Sequence, residues 1–160
     1  MTDYLRAAGE ILTRLRATVT LTEAANIQVA ASIGAAMEVL QFTPAVLVIP
    51  WDETVDDSDQ SGMSAVTEQL WLVLIVARKV EDIAFGAESL AQAGSIQHEV
   101  LRSLQGYAPP VNGMGRLRRV SAPKLGQNGS IIDYEKGASA IPVLFALPVY
   151  STGAVNDDED

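Results

Sequence analysis

The sequence predicts a single domain of the α/β (α+β) class, in which two amphipathic helices can cover one face of a sheet of about five or six strands. A length of 160 residues fits one domain, and 48% apolar with 19% charged residues is typical of a globular chain. Residues 70–77, LWLVLIVA, are apolar throughout. Because a membrane helix needs about 18 apolar residues, this run is interpreted as a central strand. We expect the domain to span residues 1–152 and the acidic residues 153–160 to be disordered.

Apolar spacing predicts three helices. Residues 3–18 place an apolar stripe on one side, and residues 27–41, rich in alanine, predict a second and shorter helix that ends before Pro44. A turn at residues 81–85 precedes a long helix that ends near Tyr107. On this helix we expect one apolar face, made by Leu90, Ala93, Gly94, Gln97, Val100, Leu101 and Leu104. The two long helices are the expected cover of the sheet.

Six strands are predicted between and after these helices. Residues 19–23 are short, residues 45–49 end at Pro50, and residues 64–79 contain the central run. Two further strands, 117–125 and 130–135, flank the turn GQNG at residues 126–129. The last strand covers residues 141–151. Pro142 and Pro148 have the same parity, so we expect this strand to lie at an edge or to be paired irregularly on its outer side.

Both faces of the central run need cover. Leu70, Leu72, Leu74 and Val76 point to one side, and Trp71, Val73, Ile75 and Ala77 point to the other. If the long helices cover the first side, Trp71, Val73 and Ile75 need a second cover. A neighbouring subunit and the short second helix are both compatible with the sequence, so these three residues are a candidate subunit interface and also candidate core.

Charge is unevenly distributed. The net charge is −9, and without nine clustered acids the remaining 11 acidic residues balance the 11 Lys and Arg residues. Four of the nine end the chain at 157–160, and the others form an expected solvated loop within residues 51–63: Asp52, Glu53, Asp56, Asp57 and Asp59. Such acidic segments disfavour duplex DNA as a tight ligand.

The opposite charge is clustered at Arg116, Arg118, Arg119 and Lys124. Two interpretations of this cluster are open: it is a solvated face of the sheet, or it binds an acidic segment of a neighbouring subunit. On the second interpretation, Arg116, Arg118 and Arg119 join the candidate subunit interface, and the five acids near residue 55 form a candidate acidic surface of the assembly.

No pattern of residues predicts catalysis. His98 is the only histidine, cysteine is absent, and no nucleophile elbow occurs. The spacing of the acids does not match a helix–loop–helix calcium site, and the glycines at 113 and 115 lack the third glycine of a dinucleotide fingerprint. We therefore predict no catalytic, cofactor-binding or metal-ligating residues, no cofactor and no enzymatic activity.

Several runs together resemble a known family. LRAAGEILTRLRATV, AMEVLQFTPAVLVIPWDE, QLWLVLIVARKVED and VLRSLQGYAPP, with the order of predicted elements, are similar to the tail terminator (tail completion) proteins of long-tailed bacteriophages and related prophage tails. The resemblance runs from Leu5 to about Tyr150. It departs in the last third, where the strand IPVLFALPVY carries two prolines.

The resemblance implies a mixed sheet with helices on one face and a hexameric ring. The ring caps the tail tube, stops its polymerisation and offers a joining surface for the head, so the implied partners are copies of the chain, the tail tube protein and a head–tail connector protein. The implied location is the virion tail, with assembly in the host cytoplasm. Two alternatives stay open: another neck or tail component, such as a head–tail joining or tube protein, and a small intracellular enzyme or ligand-binding domain.

Overall fold

In the part of the chain that the structure describes, two long helices pack on a mixed six-stranded sheet. A computed structural model describes residues 6–32, 34–35, 44–58, 62–78, 87–123, 131–133 and 138–152. The elements in chain order are as follows: α1 (Arg6–Thr18), a 3₁₀ turn (Ala24–Asn26), β1 (Ile27–Val29), β2 (Ala45–Ser58), β3 (Ser64–Arg78), α2 (Ala87–Leu104), β4 (Arg118–Val120), β5 (Ile131–Asp133) and β6 (Ala138–Thr152). The predicted acidic tail, 153–160, lies outside the described residues.

The sheet has the order β1-β2-β3-β6-β4, with β5 also paired to β6. Only β1 and β2 are parallel, and the other pairs are antiparallel. Strand β3 is central, since it pairs with β2 on one side and with β6 along its full length on the other. The predicted α+β class and the central position of the apolar run are therefore confirmed.

Both helices cover the face that bears Trp71, Val73 and Ile75. These three side chains are at most 1% exposed and pack with Ala7, Ala8, Ile11 and Leu15 of α1 and with Ala93, Ile96, Val100 and Leu104 of α2. They belong to the core of their own chain rather than to an outer surface. The two helices thus lie on the side opposite to the one assumed in the sequence interpretation.

The buried stripe of α2 is rotated from the predicted one. Ile96 is fully buried, whereas Leu90 is 41% exposed and Gln97 is half-buried. The buried amide of this face is Gln69 on β3, whose side-chain oxygen accepts a 3.2 Å hydrogen bond from Trp71 Nε1. The predicted and observed stripes share Ala93, Val100 and Leu104, so the helical period alone does not decide between Ile96 and Gln97 as the residue that completes the face.

The segment between α1 and β2 differs from the prediction. Residues 19–23 form no strand, and β1 is instead Ile27–Val29, where the second helix was expected to start. Residues 30–32 are not helical, Gly34 and Ala35 are helical, and residue 33 with residues 36–41 lies outside the described residues. Finally, β4 and β5 do not form a hairpin with each other, because both pair with β6, one after the other along its outer edge.

Proline positions explain how β6 is paired. Pro142 lies opposite the gap between the partners of β4 (Leu144–Ala146) and those of β5 (Ala138–Ala140). The Pro148 carbonyl accepts a 2.8 Å hydrogen bond from the Gly115 N–H on this outer side. Both prolines thus turn their missing N–H groups to the side where pairing is interrupted, which confirms the prediction of irregular outer pairing.

Pro50 does not end β2, contrary to the prediction. The Val48 carbonyl bonds the Ala30 N–H on the outer side of β2, and Pro50 has the same parity as Val48. Its missing N–H therefore faces the outer edge, past the last residue paired with β1. The strand continues through the acidic residues to Ser58, with irregularities between Pro50 and Asp52 and between Val55 and Asp57.

We predict that the two tryptophans contribute very differently to stability. Trp71→Ala removes a side chain that is 1% exposed, so it should lower the free energy of unfolding by about 3–5 kcal/mol. The matched control Trp51→Ala changes a residue that is 38% exposed and should cost about 1 kcal/mol or less. Urea denaturation followed by circular dichroism measures both, and equal losses would contradict the assignment of Trp71 to the core.

A second pair of variants tests the close approach of residue 115 to β6. A Cβ on Gly115 would lie 2.6 Å from Pro148 Cγ, in a rigid ring, so Gly115→Ala should destabilise by about 1–3 kcal/mol. Gly94, inside α2, has no such neighbour within 4 Å, and Gly94→Ala should stabilise the protein by about 0.5–1 kcal/mol. Thermal unfolding distinguishes the two signs, and a neutral Gly115→Ala would contradict the packing of this segment.

Candidate assembly interface

The face of the sheet opposite α1 and α2 has its own apolar cluster. Strand residues at its centre are at most 1% exposed: Leu47, Ile49, Leu72, Leu74 and Val76. Its other described members are Ala30, Ala140, Leu144, Leu70, Val120 and Ala122. The two faces of β3 thus belong to different apolar clusters, and among the described residues α1 and α2 contribute to the one that contains Trp71.

The sheet continues beyond the helices as a three-stranded extension. We define the sheet extension as residues 51–58 of β2, 64–70 of β3 and 146–152 of β6, which are paired with one another throughout. Four large apolar side chains of this end of the sheet are 38–59% exposed: Trp51, Val55, Met63 and Tyr150. Grouped exposed apolar side chains are typical of a surface that meets another molecule.

The candidate acidic residues lie on this extension rather than in a loop. Asp52 and Glu53 are exposed on β2, and the Asp52 carboxylate accepts a 2.8 Å hydrogen bond from the Glu53 N–H. Asp56 and Asp57 belong to the same strand, and Asp59 lies outside the described residues. The expected solvated loop is therefore a strand over residues 51–58, because pairing with β3 satisfies its backbone while the side chains of Asp52 and Glu53 stay exposed.

The candidate basic residues lie at the opposite edge of the sheet. Arg118 and Arg119 are exposed on β4, and Arg116 precedes that strand. The Arg118 guanidinium makes a 2.6 Å ion pair with Glu68 on β3, and its side chain is 61% exposed. Arg116 donates to the Gly106 carbonyl at 2.9 Å. Arg118 and Arg119 therefore lie on one short strand with Arg116 just before it, and the acidic segment of the same chain lies at the other edge.

A polar seam fixes α1 to α2. Arg14 donates to the Ser103 carbonyl at 3.2 Å and its guanidinium lies 4.9 Å from the centre of the Tyr107 ring. The hydroxyls of Thr18 and Ser103 are hydrogen-bonded to each other. This seam is structural, since its polar groups are satisfied within the chain.

Glu99 ties the segment after α1 to α2. Its carboxylate accepts hydrogen bonds from the Thr20 hydroxyl at 2.6 Å, the Thr20 N–H at 2.8 Å and the Leu21 N–H at 3.2 Å. Burial alone would raise the pKa of Glu99, but these bonds together with the neighbouring His98 hold that pKa below its usual range. The sequence does not predict this contact.

The described residues hold no other concentration of reactive groups. His98 is exposed on α2. Within the described ranges, no three acidic or histidine side chains come together as a metal site would require. No described helix combines the length and apolar character needed to cross a bilayer. The features that remain are surfaces, namely the sheet extension and the two charged edges.

We predict that Glu99→Gln lowers the free energy of unfolding at pH 7 by about 1–2 kcal/mol, because hydrogen bonds to a charged acceptor are the stronger ones. The folded pKa is lowered, so this contribution is complete above the unfolded value of about 4.3 and is lost as the pH falls through the folded value. The difference from the unaltered protein should therefore vanish in acid. The control is Glu23→Gln, because Glu23 is exposed and its side chain makes no cap hydrogen bond. If the free energy of unfolding of Glu99→Gln still differed from that of the unaltered protein at low pH, the charged contact would be contradicted.

Comparison with known proteins gives one result for the family and one for curated relatives. The family model described as phage tail terminator protein matches residues 1–149. No curated protein matches the chain.

Proposed function

Because the chain belongs to the phage tail terminator family, we propose that it caps the tail tube, ends polymerisation of the tube and provides the surface to which the head is joined. It acts as a ring, which we take to be hexameric. Family membership makes the chain a structural component of a phage tail. Its partners in this proposal are further copies of itself, the tail tube protein and a head–tail connector protein, and it assembles in the host cytoplasm before it becomes part of the virion.

The observation that carries this proposal is the extent of the family match. Residues 1–149 of the 160 are matched, which includes both helices and all but the last residues of β6. The family is therefore assigned through the whole α+β domain and not through one segment of it. The described surface agrees with a structural role, since its exposed features are strand edges and apolar side chains rather than a cluster of reactive groups.

A capping ring needs three kinds of contact, and the fold offers distinct surfaces for them. Neighbouring copies in a ring meet through two different patches of each subunit, as in any head-to-tail interface that closes. The tube and the head are met on the two remaining sides. Arg116, Arg118 and Arg119 are retained as interface candidates, and the acidic segment around Asp52 as an assembly surface. Trp71, Val73 and Ile75 are not retained, because the helices of their own chain cover them.

We predict that tails assembled without this protein carry tubes of uncontrolled length, because nothing stops the addition of tube subunits. Negative-stain electron microscopy of lysates from a phage or prophage with the gene deleted measures the length distribution. The control is the same deletion with the gene supplied in trans, which should restore a narrow distribution. Tubes of normal length that lack heads would contradict termination and favour the alternative of a head–tail joining protein.

A further inference from the structure

The two edges of the sheet carry opposite charge. The outer edge of β2 is paired with β1 only at Val46–Val48, so the stretch from Ile49 onward has no described strand beside it. This stretch bears the exposed Asp52 and Glu53. At the other end of the strand order, β4 bears the exposed Arg118 and Arg119. Each copy therefore offers an acidic strand edge and a basic strand edge.

Register places the opposite charges at one level of the sheet. Asp52 pairs with Leu70, Leu70 with Ala146 and Ala146 with Arg118, so Asp52 and Arg118 end the same row across four strands. Paired residues share a face, so both side chains belong to the face opposite α1 and α2. Three strand spacings of about 4.8 Å separate the two edges by roughly 14 Å. The two charges therefore cannot meet within one copy.

Strand direction allows a second copy to continue the sheet. β2, β3, β6 and β4 are antiparallel in turn, so β2 and β4 run in opposite directions. If a second copy lies beside the first in the same orientation, with the same face of the sheet on the same side, its β4 is antiparallel to β2 of the first copy. This placement brings Asp52 of one copy beside Arg118 of the next at the same level. The free backbone groups of a strand edge accept such pairing, except at Pro50, which offers a carbonyl but no N–H on this side.

An exposed aromatic side chain and a cavity lie at matching positions beside these charges. Trp51, at the irregularity of β2, is 38% exposed and precedes Asp52. A cavity of about 590 Å³ lies next to Arg118 and Arg119, and its lining includes Val120, Ala122 and Leu144. When Asp52 stands beside Arg118, Trp51 lies near the level of Arg119 and Val120. The lining combines the two arginines and Ser121 with these apolar side chains. An aromatic side chain buried in a pocket of the partner is a common anchor of an interface.

We propose that copies of this chain join head to tail through these two edges, with Asp52 beside Arg118 and Trp51 in the cavity of the neighbour. This inference rests on the proposed ring and names its subunit contact. The favoured occupant of the basic edge is a second copy rather than another acidic partner, because charge, row and strand direction match the chain's own β2. The ion pair with Glu68 does not block the contact, since one N–H of Arg118 is used there and the guanidinium has five.

Charge reversal with complementation tests the contact. Asp52→Lys gives a copy with two basic edges, and Arg118→Glu gives a copy with two acidic edges. Each variant alone should associate about tenfold or more weakly than the unaltered protein, because like charges meet at every junction. An equimolar mixture should recover assembly, because alternating copies restore opposite charges at each junction and close any ring with an even number of subunits. Sedimentation velocity over a concentration series measures all four samples.

Three controls separate the contact from folding and from net charge. Glu23→Lys and Arg6→Glu reverse exposed charges away from both edges and should leave association unchanged. Glu68→Gln removes the internal ion pair of Arg118 without reversing an edge and should also leave association unchanged. Trp51→Ala should weaken association while its unfolding curve stays close to that of the unaltered protein. Circular dichroism of every variant confirms that it is folded.

Each outcome has a defined meaning. Weak single variants with a recovered mixture support the edge contact. Single variants that assemble as well as the unaltered protein overturn the edge contact but not the proposed ring. A mixture that associates as weakly as each variant alone has the same meaning. An unaltered protein that remains monomeric at every concentration overturns the self-assembling ring and the edge contact with it.

Discussion

Pairing of β3 on both sides is the constraint on which the rest of the structure depends. Its 15 residues pair with β6 without a break and with β2 from Ser58 to Ala45. Residues 71–77 are all at most 1% exposed. Because both faces of this stretch are apolar, helices are required on one side and a second apolar layer on the other. Large apolar side chains each contribute about 1.5–3 kcal/mol when buried, so residues 71–77 contribute a large part of the free energy of folding.

The two ends of the sheet extend from this centre with different chemistry. Residues 71–77 are covered and apolar, whereas the far end of the sheet extension keeps the same pairing with exposed side chains at residues 51–55 and 150–152. Backbone hydrogen bonds hold this end together, and the exposed Asp52 and Glu53 need no desolvation. A buried centre of the sheet with an exposed, charged sheet extension suits a protein that binds other subunits through its surface.

Much of the fold could be predicted because its strongest signals are local. The apolar run, the α1 stripe and the parity of Pro142 and Pro148 each follow from periodicity or from a missing N–H group. Errors arose where a local signal depends on the partner strand. Pro50 is read as a strand end unless its N–H is known to face an unpaired edge, and an acidic segment is read as a loop unless pairing with β3 is known.

The surfaces were only partly predictable for the same reason. The arginine cluster is visible in the sequence, as is the acidic segment, but their shared row is a property of register across four strands. The side of β3 on which the helices pack was also undetermined, since both faces are equally apolar. Glu99 gave no signal, because its partners Thr20 and Leu21 are 79 and 78 residues away.

Native-state hydrogen exchange tests the central position of β3 most directly. The amides of residues 71–77 should exchange only through global unfolding, so their free energies of opening should equal the free energy of unfolding measured with denaturant. The amides of residues 51–55 and 150–152, in the sheet extension, should exchange at lower free energies through local opening. Exchange of residues 71–77 at free energies as low as those of the extension would contradict the account.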